Sequence, residues 1–231
     1  MFFSSTIVPC KYKCVILIRS IQSVRMTKKP TSAVVVANGQ FPTHPAPLSA
    51  LLEAKYIVCC DGAANDFISN FGIPDAIVGD CDSISPENKI RFEDRIYPDP
   101  DQYTNDLTKA VNFCISRGIK DITIVGATGK REDHTLGNIS LLAEYQLRVN
   151  AIMITDYGRF TPIHGETTFE SKAGQQVSVF CIDSNPITLT GLKYSLENAL
   201  LTNWWQGTLN ESLGREFTVS TQGRVIVFQA F

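Results

Sequence analysis

From Ala33 to about Thr155 the chain alternates short apolar runs with longer stretches of helical spacing. The runs are AVVVAN (33–38), YIVCCD (56–61), DAIVGD (75–80), ITIVGA (122–127) and AIMITD (151–156), and a weak RIYPD (95–99) adds a sixth. They are rich in Val and Ile and lack polar alternation, which predicts parallel strands covered on both faces. Between them AANDFISNF, SPENKIRFEDR, NDLTKAVNFCISR and EDHTLGNISLLAEYQL have helical composition. Ser85-Pro86-Glu87 opens its helix with an N-cap serine followed by proline in the first turn. The layout predicts an α/β unit with right-handed crossovers.

After Asp156 the texture changes. TTFES, QQVSVFCI, ITLTGLKYSL, REFTVST and RVIVFQAF are short, β-branched and partly alternating, with Gly, Asn and Pro between them. They predict a smaller all-β, sandwich-like antiparallel unit. The expected organisation is an extension over 1–31, an α/β domain over 32–157 and an all-β domain over 158–231. The N-terminal stretch MFFSSTIVPCKYKCVILIRSIQSVR has an apolar centre too short for a signal peptide. It reads as a disordered extension, with Met26 standing just before the first strand.

Composition narrows the function. Of the 231 residues 44% are hydrophobic, ample for a packed core. Lys plus Arg total 21 against 23 acidic residues, a net charge of −2. That excludes a general nucleic-acid binder, which needs a basic face. No apolar run nears the roughly 20 residues that span a bilayer. Seven scattered cysteines include no Cys-x-x-Cys pair, which suggests reduced thiols and a cytoplasmic location.

Ligands of open parallel sheets bind beyond the carboxyl ends of the strands. Asp61, Asp80, Asp82, Asp99, Asp101, Asp106 and Asp133 all fall at or just after such ends. Any one of Asp61, Asp99 and Asp133 could equally be a helix N-cap. VGDCDS (78–83) is harder to read that way, because Asp80 and Asp82 share one tight turn. Like charges about 4 Å apart repel by roughly 1 to 4 kcal/mol. A hard divalent cation offsets that repulsion, and magnesium takes one or two carboxylates together with phosphate oxygens and water.

Basic partners are near in sequence. Lys109 lies one helical turn after Asp106 and shares its face. Thr128-Gly129-Lys130-Arg131 is a glycine-containing turn entering a helix, where amides and a guanidinium can grip phosphate. His134 reads as a phosphate ligand, a proton shuttle or a structural histidine. The composite is a magnesium–polyphosphate site without a Walker A loop.

CDGAAN (60–65), PDAIVGDCDSI (74–84), PDQYTNDLTKA (100–110) and GATGKREDHTLGN (126–138) resemble four successive motifs of the thiamine pyrophosphokinase family. The resemblance extends from about Ala33 to Phe231. It implies transfer of a pyrophosphoryl group from ATP to the hydroxyl of thiamine, giving thiamine diphosphate and AMP. It also implies that Asp80, Asp82 and Asp106 hold magnesium, with Asp61 near them. Asp101, Gln102, Lys109, Arg131, Asp133 and His134 fall on positions associated with the nucleotide and active site, and Gly62 belongs to the first motif. The same resemblance implies a homodimer with thiamine held between subunits, and in GTLNES (207–212) it points to Thr208, Asn210 and Ser212.

Three positions depart from the family pattern. A usual glycine is Ala63, a common aspartate is Tyr103, and the usual Gly-Gly-Arg is Gly129-Lys130-Arg131, which adds a cation. The aromatic group expected against the pyrimidine is Phe228 or one of Trp204 and Trp205, a pair that also reads as packing or interface. Asp82 and Asp106 both remain candidates for the general base. Rival readings are a pterin-type pyrophosphokinase or phosphohydrolase on the same scaffold, and a non-catalytic thiamine or nucleotide sensor.

Overall fold

Apolar runs with no polar face should be covered on both sides, and the structure, a computed structural model describing residues 30–231, shows that arrangement. The expected extension lies outside the described residues up to residue 29, as do Cys10 and Cys14. Strands β1 (Ser32–Val36), β2 (Ile57–Cys60), β3 (Ala76–Gly79), β4 (Ile96–Pro98), β5 (Asp121–Val125) and β6 (Asn150–Ile154) pair in parallel, in the order β6-β5-β1-β2-β3-β4. Successive residues of a strand point to opposite faces, and here they feed two cores. Val35, Val58, Cys60, Val78 and Ile124 face one core, against Leu107, Ala110, Val111 and Cys114 of α4 (Asp106–Ser116) and Leu142 and Ala143 of α5 (Glu132–Tyr145). Val34, Val36, Ile57, Cys59 and Ile77 face the other, against Leu51 of α1 (Pro45–Glu53) and Phe67 of α2 (Ala63–Asn70).

Helix α3 (Pro86–Arg91) starts where expected, with the Ser85 hydroxyl accepting from the Asn88 N–H at 3.3 Å. It ends earlier than the sequence suggests, and Glu93–Arg95 forms a separate 3-10 turn. Helix α1 is absent from the sequence pattern because two prolines disguise PAPLSALLE and its N-cap is His44 rather than Ser, Thr, Asp or Asn. The His44 ring nitrogen Nδ1 accepts from the Ala46 N–H at 3.2 Å, and the Asp156 carboxylate accepts from the Thr43 and His44 N–H groups.

The remaining strands are antiparallel: β7 (Gly158–Glu170), β8 (Gln176–Cys181), β9 (Ile187–Thr190), β10 (Leu196–Ala199), β11 (Asn210–Glu211) and β12 (Glu216–Ala230). REFTVST and RVIVFQAF, separate in the sequence reading, form the single strand β12, with a register shift between Thr221 and Arg224. ITLTGLKYSL instead divides into β9 and β10 at Gly191, whose φ of +76° suits a turn. One edge of β12 pairs with β7 along its length, while the other forks, Thr218–Thr221 to β9 and Val225–Gln229 to β8. A Leu192–Ser212 bridge ties the two branches, which enclose Val177, Val179, Leu189, Phe217 and Val227. The ladder is unbroken across Tyr157, because Met153 and Ile154 of β6 pair with Phe160 and Arg159 of β7.

Candidate active site

The order in which successive parallel strands are added reverses between β1 and β5, since β2, β3 and β4 follow on one side and β6 on the other. Such a switch point opens a crevice between the loops leaving the two strands. Here Gly39 N–H donates to the Gly126 carbonyl at 2.7 Å and Gln40 N–H to the Thr128 carbonyl at 2.8 Å. A Cβ on Gly39 would stand 2.5 Å from both carbonyl oxygens, so only glycine permits this approach. Beyond the seam lies a cleft of about 290 Å³ whose lining includes Asn38, Cys60, Asp106, Lys130, Arg131 and His134.

Asp61 follows β2 with φ +37° and is 2% exposed. It caps no helix: Gly62 occupies the N-cap position of α2, and Asp61 Oδ2 accepts from the Ser83 N–H at 3.1 Å. Asp61 Oδ1 is buried with no hydrogen-bond partner. One carboxylate oxygen each from Asp61, Asp80 and Asp82 lies within 4.8 Å of the others. Cys81 allows the tight turn by adopting φ +67°. Gly79 keeps the fourth acid close: a Cβ there would sit 2.6 Å from Asp61 Cβ and 3.2 Å from Asp106 Oδ1. Burial pushes the Asp61 carboxyl above its ordinary range against the Ser83 amide bond, and the Asp106 and Asp80 charges add to the rise. An orphaned buried oxygen within an all-carboxylate donor set fits a hard divalent cation.

Lys109 is 3% exposed, and its Nζ donates to Asp106 Oδ1 at 3.2 Å. Burial works against the ammonium charge, but the Asp106 hydrogen bond and the Asp106, Asp80 and Asp99 charges prevail and raise its pKa. Lys109 faces a second, more open hollow with Asp99 and Asn112 rather than the switch-point cleft.

The basic side of the cleft comes from the β5–α5 loop. Arg131 grips Asp133 with both arms, Nε–Oδ1 at 3.0 Å and Nη2–Oδ2 at 2.5 Å. That contact holds the Asp133 carboxyl below its ordinary range. Asp133 sits inside the first turn of α5, so it is not the N-cap. Lys130 Nζ lies 3.5 Å from both Asn38 Oδ1 and Asp66 Oδ2.

The structure does not gather every sequence candidate into the cleft. Asp99 and Asp101 organise the loop before α4, with Asp99 Oδ1 accepting from the Asp101 N–H and Asp101 Oδ2 from the Thr104 hydroxyl at 2.6 Å. Gln102 is exposed beside them. Thr208, Asn210 and Ser212 stand among the antiparallel strands. Asn210 brackets the Tyr194 backbone, Ser212 bonds the Ser171 hydroxyl, and Thr208 donates to the Trp205 carbonyl. Phe228 packs on Phe160 at 4.6 Å, and Trp204 donates to the Cys181 carbonyl, whereas Trp205 is 71% exposed.

Sequence reasoning passed over several asparagines. Asn65 Oδ1 accepts from the Ser85 N–H and the Asn88 amide, while its Nδ2 donates to the Ser83 carbonyl, which fixes the acidic turn to α2 and α3. Asn138 ties α5 to the Ala127 carbonyl at 2.9 Å, and Asn38 lines the cleft. Asn65 and Asn138 close the DGAAN and DHTLGN stretches, and Asn38 precedes glycine at the end of β1; those positions were the available signal.

The family profile described as "Thiamin pyrophosphokinase, catalytic domain" matches residues 48–154, and "Thiamin pyrophosphokinase, substrate-binding domain" matches residues 158–228. Thiamine pyrophosphokinase 1 of Oryza sativa subsp. japonica is 31% identical over 198 residues, covering 72% of this chain and 74% of the rice protein. The crystal structure of thiamine pyrophosphokinase from Bacillus subtilis aligns with a TM-score of 0.73 at 24% identity, covering 86% of this chain and 98% of the other. That from Candida albicans aligns at 0.73 and 20% identity, covering 87% and 89%. Because the two profiles run in order through the parallel and the antiparallel strands, and the rice relative spans both, the chain belongs to the thiamine pyrophosphokinase family.

Proposed function

We propose that this protein is a thiamine diphosphokinase that uses ATP and magnesium and works as a homodimer in the cytoplasm. The observation that carries the reading is that Asp106 shares the lining of the switch-point cleft with Lys130, Arg131 and His134, while Gly79 brings Asp106 up to the Asp61–Asp80–Asp82 carboxylate cluster. Asp61, Asp80, Asp82 and Asp106 hold the metal. Magnesium, when bound, neutralises the triphosphate oxygens and makes the β-phosphorus more electrophilic.

The chain's own residues do the rest by positioning and charge balance. Lys109 orients Asp106 through its hydrogen bond. Arg131 and His134 meet the phosphates, and Asp133 holds the guanidinium in place until they arrive. Asp101 and Gln102 shape the loop on the nucleotide side, and Gly62 lets that wall pack against Asn38 and Ser83. The thiamine hydroxyl oxygen bonds to the β-phosphorus as the α–β bridging bond breaks and AMP departs. A carboxylate oxygen of Asp82 or Asp106 takes the hydroxyl proton. Thiamine approaches from a second subunit on the Thr208–Ser212 segment, where Asn210 and Ser212 hold the loop and the exposed Trp205 stands on the turn just before it. The expected domain division at residue 157 separates these two roles.

The test is incubation of the full chain with ATP, thiamine and magnesium. AMP and thiamine diphosphate in equal amounts are expected. ADP or free phosphate instead would favour the pterin-type or phosphohydrolase reading, and saturable thiamine binding without turnover a sensor.

A further inference from the structure

We infer that Lys130 is a nucleotide-phosphate contact of this enzyme, and that Asp66 is the carboxylate that holds its ammonium in place until a polyphosphate displaces it; the inference rests on the reading of the cleft as a nucleotide site.

Three observations carry it. Lys130 lines the cleft together with Arg131, His134 and Asp106. Its backbone is fixed, because Gly129 adopts φ +93° and a Cβ there would stand 2.9 Å from Gln40, while the Gln40 N–H already binds the Thr128 carbonyl. Its side chain crosses the crevice mouth from the β5–α5 loop to Asn38 after β1 and to Asp66 in the first turn of α2.

Both contacts are long, at 3.5 Å, and the Lys130 and Asp66 side chains are half exposed. Exposed pairs of that kind are weak. A phosphate oxygen on a metal-bound nucleotide makes a shorter, charge-assisted bond to an ammonium in a partly closed cleft. The neighbouring cation shows the same arrangement, since Arg131 rests on Asp133. Each cation of the loop therefore has its own carboxylate, and phosphates would compete with that carboxylate for it.

The experiment is calorimetric titration of the full-length protein with the magnesium complex of α,β-methylene-ATP, whose bridging carbon blocks pyrophosphoryl transfer, without thiamine. Lys130→Ala is expected to weaken binding about tenfold or more. Lys130→Arg should recover part of the loss. Asp66→Asn, which frees the ammonium, is expected to tighten binding about twofold to fivefold. In the Lys130→Ala background the same Asp66 change should have no effect, because the competition it relieves no longer exists. Melting temperatures of the variants confirm that they are folded. A folded Lys130→Ala protein that binds the analogue within twofold of wild type overturns the inference and leaves the proposed function standing, as does tightening by Asp66→Asn that persists without Lys130. A wild-type protein with no affinity for the analogue removes both.

Discussion

At the scale of single residues, Asp61 has the most consequential environment. Its carboxyl is raised by burial and by its acidic neighbours, so its ionised form is costly in the metal-free protein. The protonated form's advantage is complete below the ordinary carboxylate range and is lost as pH rises through the raised folded pKa. Above that raised value the metal-free protein bears the full cost. Asp61→Asn should raise the melting temperature in EDTA at pH 7 by a few degrees, lose that advantage below about pH 4, and reduce turnover by orders of magnitude. A variant that melts lower than wild type at pH 7 without metal would remove this account. The sequence shows Asp61 at a strand end but not its burial or its orphaned oxygen, which arise from β2, β3 and Gly79 meeting in space. By contrast, the Asp80–Asp82 turn is legible as a cation site because both charges are local in the chain. The Lys109–Asp106 pair is legible too, since helical spacing alone sets it.

Among elements, the parallel strands and four of the five α-helices of the described residues could be read from the sequence, whose apolar runs carry two covered faces at once. Helix α1 could not, because its cap is an imidazole and its first turn is proline-rich. The fusion of two short runs into β12 was hidden by Gln222-Gly223, which reads as a turn and is instead part of a bulge. An ion pair fixes that bulge: Asp183 accepts from the Arg224 backbone N–H at 2.8 Å and from both arms of its guanidinium. Arg224 holds the Asp183 carboxyl down at about 2 from an ordinary 3.8. A depressed carboxyl contributes stability above the ordinary value that is lost as pH falls through the folded one. Asp183→Asn should therefore lower the melting temperature by a few degrees at pH 7. The gap to wild type should narrow between about pH 4 and pH 2. A gap of constant size across that range would show that the pair's charge is not its contribution.

For the whole molecule, the sequence predicts two units and leaves unstated how they are joined. The join is hydrogen-bonded: β7 closes the edge of β6, and Phe160 and Ile226 complete the core formed by α4 and α5. Ending the chain after Tyr157 uncovers that edge and core together, and exposed strand edges recruit other chains. The shortened protein is expected to elute as large assemblies in size-exclusion chromatography; a monomer melting near the full-length temperature would contradict this. The unbroken ladder also constrains inheritance. A lineage exchanging its C-terminal half for another binding module would have to supply, with the new specificity, a strand of the right length and direction to seal the old one, so the two halves are expected to have diverged together rather than been shuffled.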